Sequence, residues 1–323
     1  MLSRRHLLTG AALLAAPSLA RAQSGWPGDR AIEVIVPYPP GGGVDTMARL
    51  VMPYVTRHLG RNARAVVSNR GGAGGQVGFE FGFNAPADGY TLCAITLPAL
   101  NTFPLERPVR YRPLDFSFIA NVVDDPNTIY VATNSPIRTL ADLVAAAKAK
   151  PGELSYGTTG IGSDDHILML NFQALAGIPE MTHIPFAGAA PLMTQLLGGH
   201  LPLGVANMAE IYSNLREGQL RSLGQAAEQR WQATPDVPTF REQGFDLVGG
   251  SARGIVGPPN MPAPIRDALQ QAFTAAMADA DFLREAERVG LPLRAVVGDA
   301  YRAMAASNAQ QVQALWQRRP WNQ

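Results

Sequence analysis

Apolar residues along this chain switch repeatedly between two periods. Ile32-Glu33-Val34-Ile35-Val36 is a short β-branched run. After it, Val44, Met47, Ala48, Val51, Val55 and Leu59 recur at helical spacing up to Gly60. Pro53 lies inside that helix and, by removing a backbone donor, is expected to kink or divide it. Further strands are predicted at 65–67, 90–95, 127–132, 154–156, 183–186, 203–206, 220–223 and 254–256. A helix should open at Thr139, with Asp142 three residues on in capping-box spacing. Three more are predicted near 263–277, 281–288 and 299–317, the first with Ile265, Leu269, Ala272, Phe273 and Ala276 on one face. Such alternation predicts α/β layers built mainly on parallel sheets.

The first segment follows a different rule. Arg4 and Arg5 precede an apolar run from Leu7 to Leu19, which closes on Ala20-Arg21-Ala22. A charged start, a short apolar stretch and an A-x-A end predict a cleavable signal peptide over residues 1–22 and export to the periplasm. The run is too short to span a bilayer comfortably. Ser3-Arg4-Arg5-His6-Leu7-Leu8 resembles a twin-arginine signal, and ordinary Sec export fits equally well. No later segment is long and apolar enough to cross a membrane.

Composition narrows the partners. The 323 residues suggest about two domains at roughly 150 residues each. Formal charge is +1, becoming −2 if Arg4, Arg5 and Arg21 are removed with the leader. With no basic block, a nucleic-acid partner held by its phosphates is excluded. A single cysteine, Cys93, excludes an intramolecular disulfide and a thiolate-rich zinc site. His58, His166, His183 and His200 show no paired ligand spacing, so no metal or other cofactor is expected. Only two of the 27 basic residues are lysines, Lys148 and Lys150, a feature to which no function attaches.

Two glycine-rich strand-to-helix turns carry the chemical signal. The first is Pro39-Pro40-Gly41-Gly42-Gly43-Val44-Asp45; the second is Gly157-Thr158-Thr159-Gly160-Ile161-Gly162-Ser163-Asp164-Asp165-His166. Glycines at a helix start let an anion approach unpaired N–H groups at the positive end of the dipole. The plainer alternative is that they form tight turns and that Ser163 or Asp165 caps a helix. The helix after the second turn is expected to present Ile167, Leu170, Ala174 and Leu175 on one side and to stop at Gly177. An exported hydrolase using Ser163 and His166 is a competing reading, although position 161 is isoleucine and the G-x-S-x-G elbow is missing. Gly71-Gly72-Ala73-Gly74-Gly75 does not supply a G-x-G-x-x-G opening for a dinucleotide.

Taken in order, several segments resemble the exported solute receptors of the tripartite tricarboxylate transporter system, the Bug family. They are 35–45, 69–75, 86–92, 160–166, Ile184-Pro185-Phe186-Ala187-Gly188, 196–199, 235–239 and Arg253-Gly254-Ile255-Val256-Gly257-Pro258-Pro259. The resemblance implies a two-lobed, type II-like periplasmic-binding-protein clamshell with two crossing strands. It also implies a small carboxylate held by backbone N–H groups of both glycine-rich loops, and delivery to a membrane permease or a sensor.

Carried over by position, Tyr38 lies on the cleft wall, Gly41, Gly42, Gly43 and Asp45 in the first loop, and Gly162, Ser163 and Asp165 in the second. Thr96, Phe186 and Gly188 line the cleft or serve turn and core roles. Asn207 reaches a polar ligand group, and the planar fork of Arg253 suits a distal carboxylate, or equally a surface or interlobe salt bridge. Relatives often carry lysine at Ala187, aspartate at Ala206 and small hydroxyl residues at Asp164 and Asp165. Those two acids would suit the helix dipole or, facing the cleft, repel a multiply charged anion. The expected ligand is therefore a monocarboxylate, or a carboxylate bearing a donor group, in preference to citrate. One lobe is expected over 23–126 and 252–323 and the other over 127–251, in a monomer.

Overall fold

The computed structural model describes residues 25–321 except positions 29 and 61, so the expected leader lies outside the described residues. The chain opens with β1 (Ile32–Val36), α1 (Gly43–Leu59), β2 (Ala65–Asn69), α2 (Gln76–Phe83), β3 (Thr91–Leu97) and α3 (Ala99–Glu106). β1 pairs parallel with both β2 and β3, as strand–helix–strand connections require. Val44, Met47, Ala48, Val51 and Val55 of α1 are buried against β1 and β3, so the apolar stripe read in the sequence is the core face. α1 runs unbroken through Pro53, correcting the expected division. Pro53 removes only one ladder bond, and the packed stripe on both sides of it holds the helix together.

A 16-residue strand, β4 (Ser117–Ala132), then crosses the molecule. Beyond it lie α4 (Leu140–Ala149), β5 (Ser155–Thr158), α5 (Asp164–Ala176), β6 (Thr182–Pro185), α6 (Ala189–Leu197), β7 (Gly204–Asn207), α7 (Met208–Arg216) and β8 (Leu220–Gln225). The Thr139 capping box is present: its hydroxyl accepts the Asp142 N–H while Asp142 reaches back to the Thr139 N–H. The chain returns through β9 (Gly250–Gly257) and ends with α8 (Ala263–Met277), α9 (Ala280–Arg288), β10 (Leu293–Val297) and α10 (Asp299–Arg318). Ile265, Leu269, Ala272, Phe273 and Ala276 form the buried face of α8, as their spacing predicts.

The sheet is mixed, which corrects the expectation of mainly parallel pairing. β1–β2, β1–β3, β5–β6 and β5–β7 are parallel, whereas β4 and β9 run antiparallel to each other and to all their partners. β4 changes neighbours along its length. Ser117 to Pro126 pair with β9, and Asn127 to Ala132 pair with β7 and β8. Apolar packing divides at the same place. Two buried clusters draw on residues before 124 and after 251, and two others on residues between 129 and 247.

A smaller apolar seam joins the halves. Ile167 and Leu170 of α5 meet Leu105 of α3 and Val312, Leu315 and Trp316 of α10, with Trp321 beyond it. This seam explains why the core face of α5 departs from expectation. Leu168, Met169 and Phe172 face the core, Ile167 and Leu170 face α10, and Ala174 and Leu175 are exposed. Gly177 ends the helix in a left-handed conformation, as predicted.

Candidate ligand-binding site

The first glycine-rich loop joins β1 to α1. Asp45 lies inside it and accepts from the Gly41 N–H at 2.9 Å, the Asn69 amide at 2.9 Å and the Arg49 guanidinium at 3.0 Å. Burial opposes the charged form, but Arg49, Gly41 and Asn69 together hold this carboxyl below the usual range. Asp45 thus braces the loop from within. Gly42 caps α1 with no side-chain acceptor, and space around Gly41 and Gly42 is open. Gly43 is closely covered: a Cβ there would collide with the Arg253 guanidinium.

The second loop joins β5 to α5 and is organised differently. Ser163 caps the helix, its hydroxyl accepting the His166 N–H at 3.2 Å. Asp165 is fully buried and accepts from the Thr159 N–H and hydroxyl. The Gly160 N–H goes to Thr158 Oγ1 and the Gly162 N–H to His166 Nδ1 at 3.3 Å. Most N–H groups of this loop therefore serve the loop itself. A Cβ at Gly162 would collide with the Glu106 carboxylate from α3, and Thr102 Oγ1 donates to the Gly162 carbonyl at 3.0 Å. Glu106 also accepts from Trp321 Nε1 at 2.7 Å.

Between the loops lies a buried polar cluster on the crossing strands. Arg253 of β9 is 2% exposed; its Nη1 stands 3.0 Å from Asp125 and its Nη2 donates to Asn207 Oδ1 at 2.8 Å, with Glu210 at 3.7 Å. Asn207 Nδ2 donates to the Asp125 carbonyl and to Asp164 Oδ2 at 2.7 Å. Four carboxyls, those of Asp125, Glu210, Asp164 and Asp165, thus surround one guanidinium. Desolvation pushes all four upward, Asp125 to about 7 despite its Arg253 contact. Desolvation alone would lower Arg253, yet Asp125 and the other acids raise it, so the guanidinium stays charged.

The structure brings most of the sequence-derived candidates to this region. Thr96 is opposite Arg253 in the β3–β9 register and shares a 2.7 Å hydrogen bond with the Tyr38 hydroxyl. Tyr38 is close enough to Asp164 and Arg253 to feel both charges. Gly188 caps α6 without a side-chain acceptor at φ +113°, and the Phe186 carbonyl lies 3.9 Å from the Cβ position of Gly160. The Phe186 ring packs with the buried cluster around Tyr130 and Leu192.

Arg253 is engaged with the protein's own acids, Asp125 on the adjacent strand β4 and, at 3.7 Å, Glu210 on α7. Ser163 and His166 make no hydroxyl–imidazole contact suited to hydrolysis. The His166 ring instead stacks on His183 at 3.9 Å, and burial together with that neighbour pushes it down to about 3. Asp125, Asn127, Glu210 and Glu106 were not foreseen. The run Asp124-Asp125-Pro126-Asn127, acids and a proline just before a β-branched stretch, was the available signal.

Two α/β halves, spanned by antiparallel crossing strands and meeting over a polar cluster fed by glycine-rich helix starts, define a two-lobed solute-binding receptor. The family model described as the tripartite tricarboxylate transporter family receptor matches residues 47–319, and the chain belongs to that family. It is 34% identical over 220 residues to the protein BugT of Bordetella pertussis, covering 67% of this chain and 66% of that protein. The structure of Rpa4515 from R. palustris with adipate matches at 25% identity and TM-score 0.83, covering 90% of this chain and 97% of that one. MatC from Rhodopseudomonas palustris, with bound malate, matches at 27% identity and TM-score 0.75, covering 91% and 98%. The relatives are receptors, and the hydrolase alternative is set aside.

Proposed function

We propose that this protein is exported through residues 1–22, captures a small carboxylate between its lobes and presents it to a tripartite tricarboxylate-type membrane permease. The observation that carries this reading is the N-terminus of α1, capped by no side chain at Gly42, with open space around Gly41 and Gly42 and the Arg253 guanidinium beside Gly43. Donors of that kind seat a carboxylate without a charged side chain. The uncapped start of α6 at Gly188 offers a second set from the other half. Adipate and malate on two structural neighbours support the same ligand class. Three or four charge-assisted hydrogen bonds, at about 1.5–3 kcal/mol each, gross about 5–12 kcal/mol, a range whose upper half exceeds the about 8 kcal/mol net of a micromolar complex.

In this reading residues 23–126 and 252–323 form one lobe and 127–251 the other, and the receptor acts as a monomer. The switch of β4 partners between Pro126 and Asn127 supports that division. Among the described residues no helix is long and apolar enough to cross a membrane.

A thermal-shift screen of the chain from Gln23 against mono-, di- and tricarboxylates tests the proposal. Ligand at 100 times its Kd should add about 2.7 kcal/mol of stability. Gly42→Val, whose Cβ would meet nothing closer than the Pro39 carbonyl at 3.9 Å, should fold normally and lose the response. If no acid shifts the melting point and native mass spectrometry finds no co-purified ligand, the receptor reading fails for carboxylates.

A further inference from the structure

The chain passes between the two halves in the middle of β4 and at the start of β9. Away from those strands the halves touch again, through α3 and the C-terminal end of the chain. α3 and α10 form one unit. Asn101 donates to the Ala305 carbonyl at 3.0 Å and to Asn308 Oδ1 at 2.9 Å, and Tyr301 and Ala305 share a buried cluster with Leu100 and Phe103. Both helices are thereby fixed to the half that holds β1 and β3. Their far ends reach across. Leu315 and Trp321 share a buried apolar cluster with Leu170 of α5, and Arg319 Nη2 stands 2.7 Å from Glu180, just before β6.

Glu106 lies at the centre of this contact, with its side chain 3% exposed. Its Oε1 occupies the place that a Cβ on Gly162 would need, and the same oxygen accepts from Trp321 Nε1 at 2.7 Å. Thr102, one turn earlier on α3, is fully buried and donates to the Gly162 carbonyl at 3.0 Å. Trp321 is 7% exposed and meets the Trp316 ring edge-on, with centroids 4.7 Å apart. Burial raises the Glu106 carboxyl above its ordinary range, against the indole N–H and Arg107, as a dry contact requires. Turning one half about the crossing strands must pull Gly162 and α5 away from all of these groups. Each contact is made by the chain's own side chains and backbone, so none requires a solute.

We propose that Glu106, Thr102 and Trp321 form a clasp that positions the second glycine-rich loop from the opposite half and holds the halves together with no ligand between them. This goes beyond the receptor reading and does not depend on what the site binds. Entry and release of a solute then require the clasp to part, and less of the ordering is left for the solute to supply.

Small-angle X-ray scattering of the chain from Gln23 tests this with no acid present, after unfolding in urea and refolding to strip any bound solute. The parent should scatter as two halves in contact. Trp321→Ala should enlarge the radius of gyration and the maximum dimension. Trp321→Phe, which keeps a ring in the seam and lacks the N–H, should enlarge them less. Hydrogen exchange separates parting of the halves from general loosening. In Trp321→Ala the amides of 100–107 and 159–166 should exchange about tenfold faster, while those of α4 and α8 keep the parent's rate. Halves that stand apart in the parent overturn the inference, as does a folded Trp321→Ala variant that scatters like the parent. Exchange that quickens equally in every helix overturns it too. If Trp321→Ala does not fold, Trp321→Phe and Thr102→Val decide: a larger radius in either supports the clasp, and an unchanged radius in both removes it. None of these outcomes touches the receptor reading, which the acid screen tests separately.

Discussion

Gly43 and Gly162 illustrate two reasons for the absence of a side chain. Gly43 needs no special backbone angle; it is glycine because the Arg253 guanidinium occupies the Cβ position. Gly162 has φ +68° and also meets the Glu106 carboxylate, so strain and collision add. Gly162→Ala is therefore expected to cost about 1–3 kcal/mol in chemical denaturation, and a Glu106→Ala background should relieve only the steric part. The glycine pattern was legible in the sequence because close approach demands glycine. Asp125 and Glu210, the two acids that pair with Arg253, were not, since they come from β4 and α7 and share no sequence spacing with β9.

Titration at this scale has opposite signs. The unfolded chain protonates His166 near pH 6.5 and the folded one only near 3, so between those values stability falls as pH falls, by up to about 1.4 kcal/mol per pH unit. Asp125, raised to about 7 from an ordinary 3.8, instead contributes stability below 3.8 that is lost as pH rises through 7. Urea titrations of His166→Gln should give a flatter loss between pH 6.5 and 4 than the parent. An unchanged slope would mean that the imidazole is not buried neutral.

At the scale of elements, helices were read best where a stripe and a cap agree. α8 and α4 began where the sequence placed them, the latter at Thr139. Thr139→Ala should cost about 1 kcal/mol, seen as a lower urea midpoint, and leave ligand affinity unchanged because α4 lies away from the glycine-rich loops. The first half of β4 escaped notice. Asn121, Asp124, Asp125 and Pro126 break its apolar run, and the ion-pair and main-chain partners of the first three include Arg294 and Arg253, both distant in sequence. β10 was missed for a related reason: its pairing with β4 shifts register between Leu293 and Val296 and leaves Arg294 and Ala295 exposed.

For the whole molecule, the apolar seam between α5 and α10 couples the halves. Leu170→Ala should destabilise the protein by about 2–4 kcal/mol in urea and weaken the binding of a ligand that draws the halves together. Equal affinity in the variant and the parent would detach the seam from closure. Cys93 lies fully buried in β3, and desolvation pushes its thiol well above the ordinary range. Thiol reagents will therefore pass over the native protein, and any cysteine introduced at the surface can be labelled against a blank background. Lys148 and Lys150 stand exposed together at the end of α4, so amine chemistry will also fall on one corner, apart from the chain's own α-amino group. One dye on each lobe, placed by these two orthogonal chemistries, would let the distance between the halves be followed in a single molecule as acid is added.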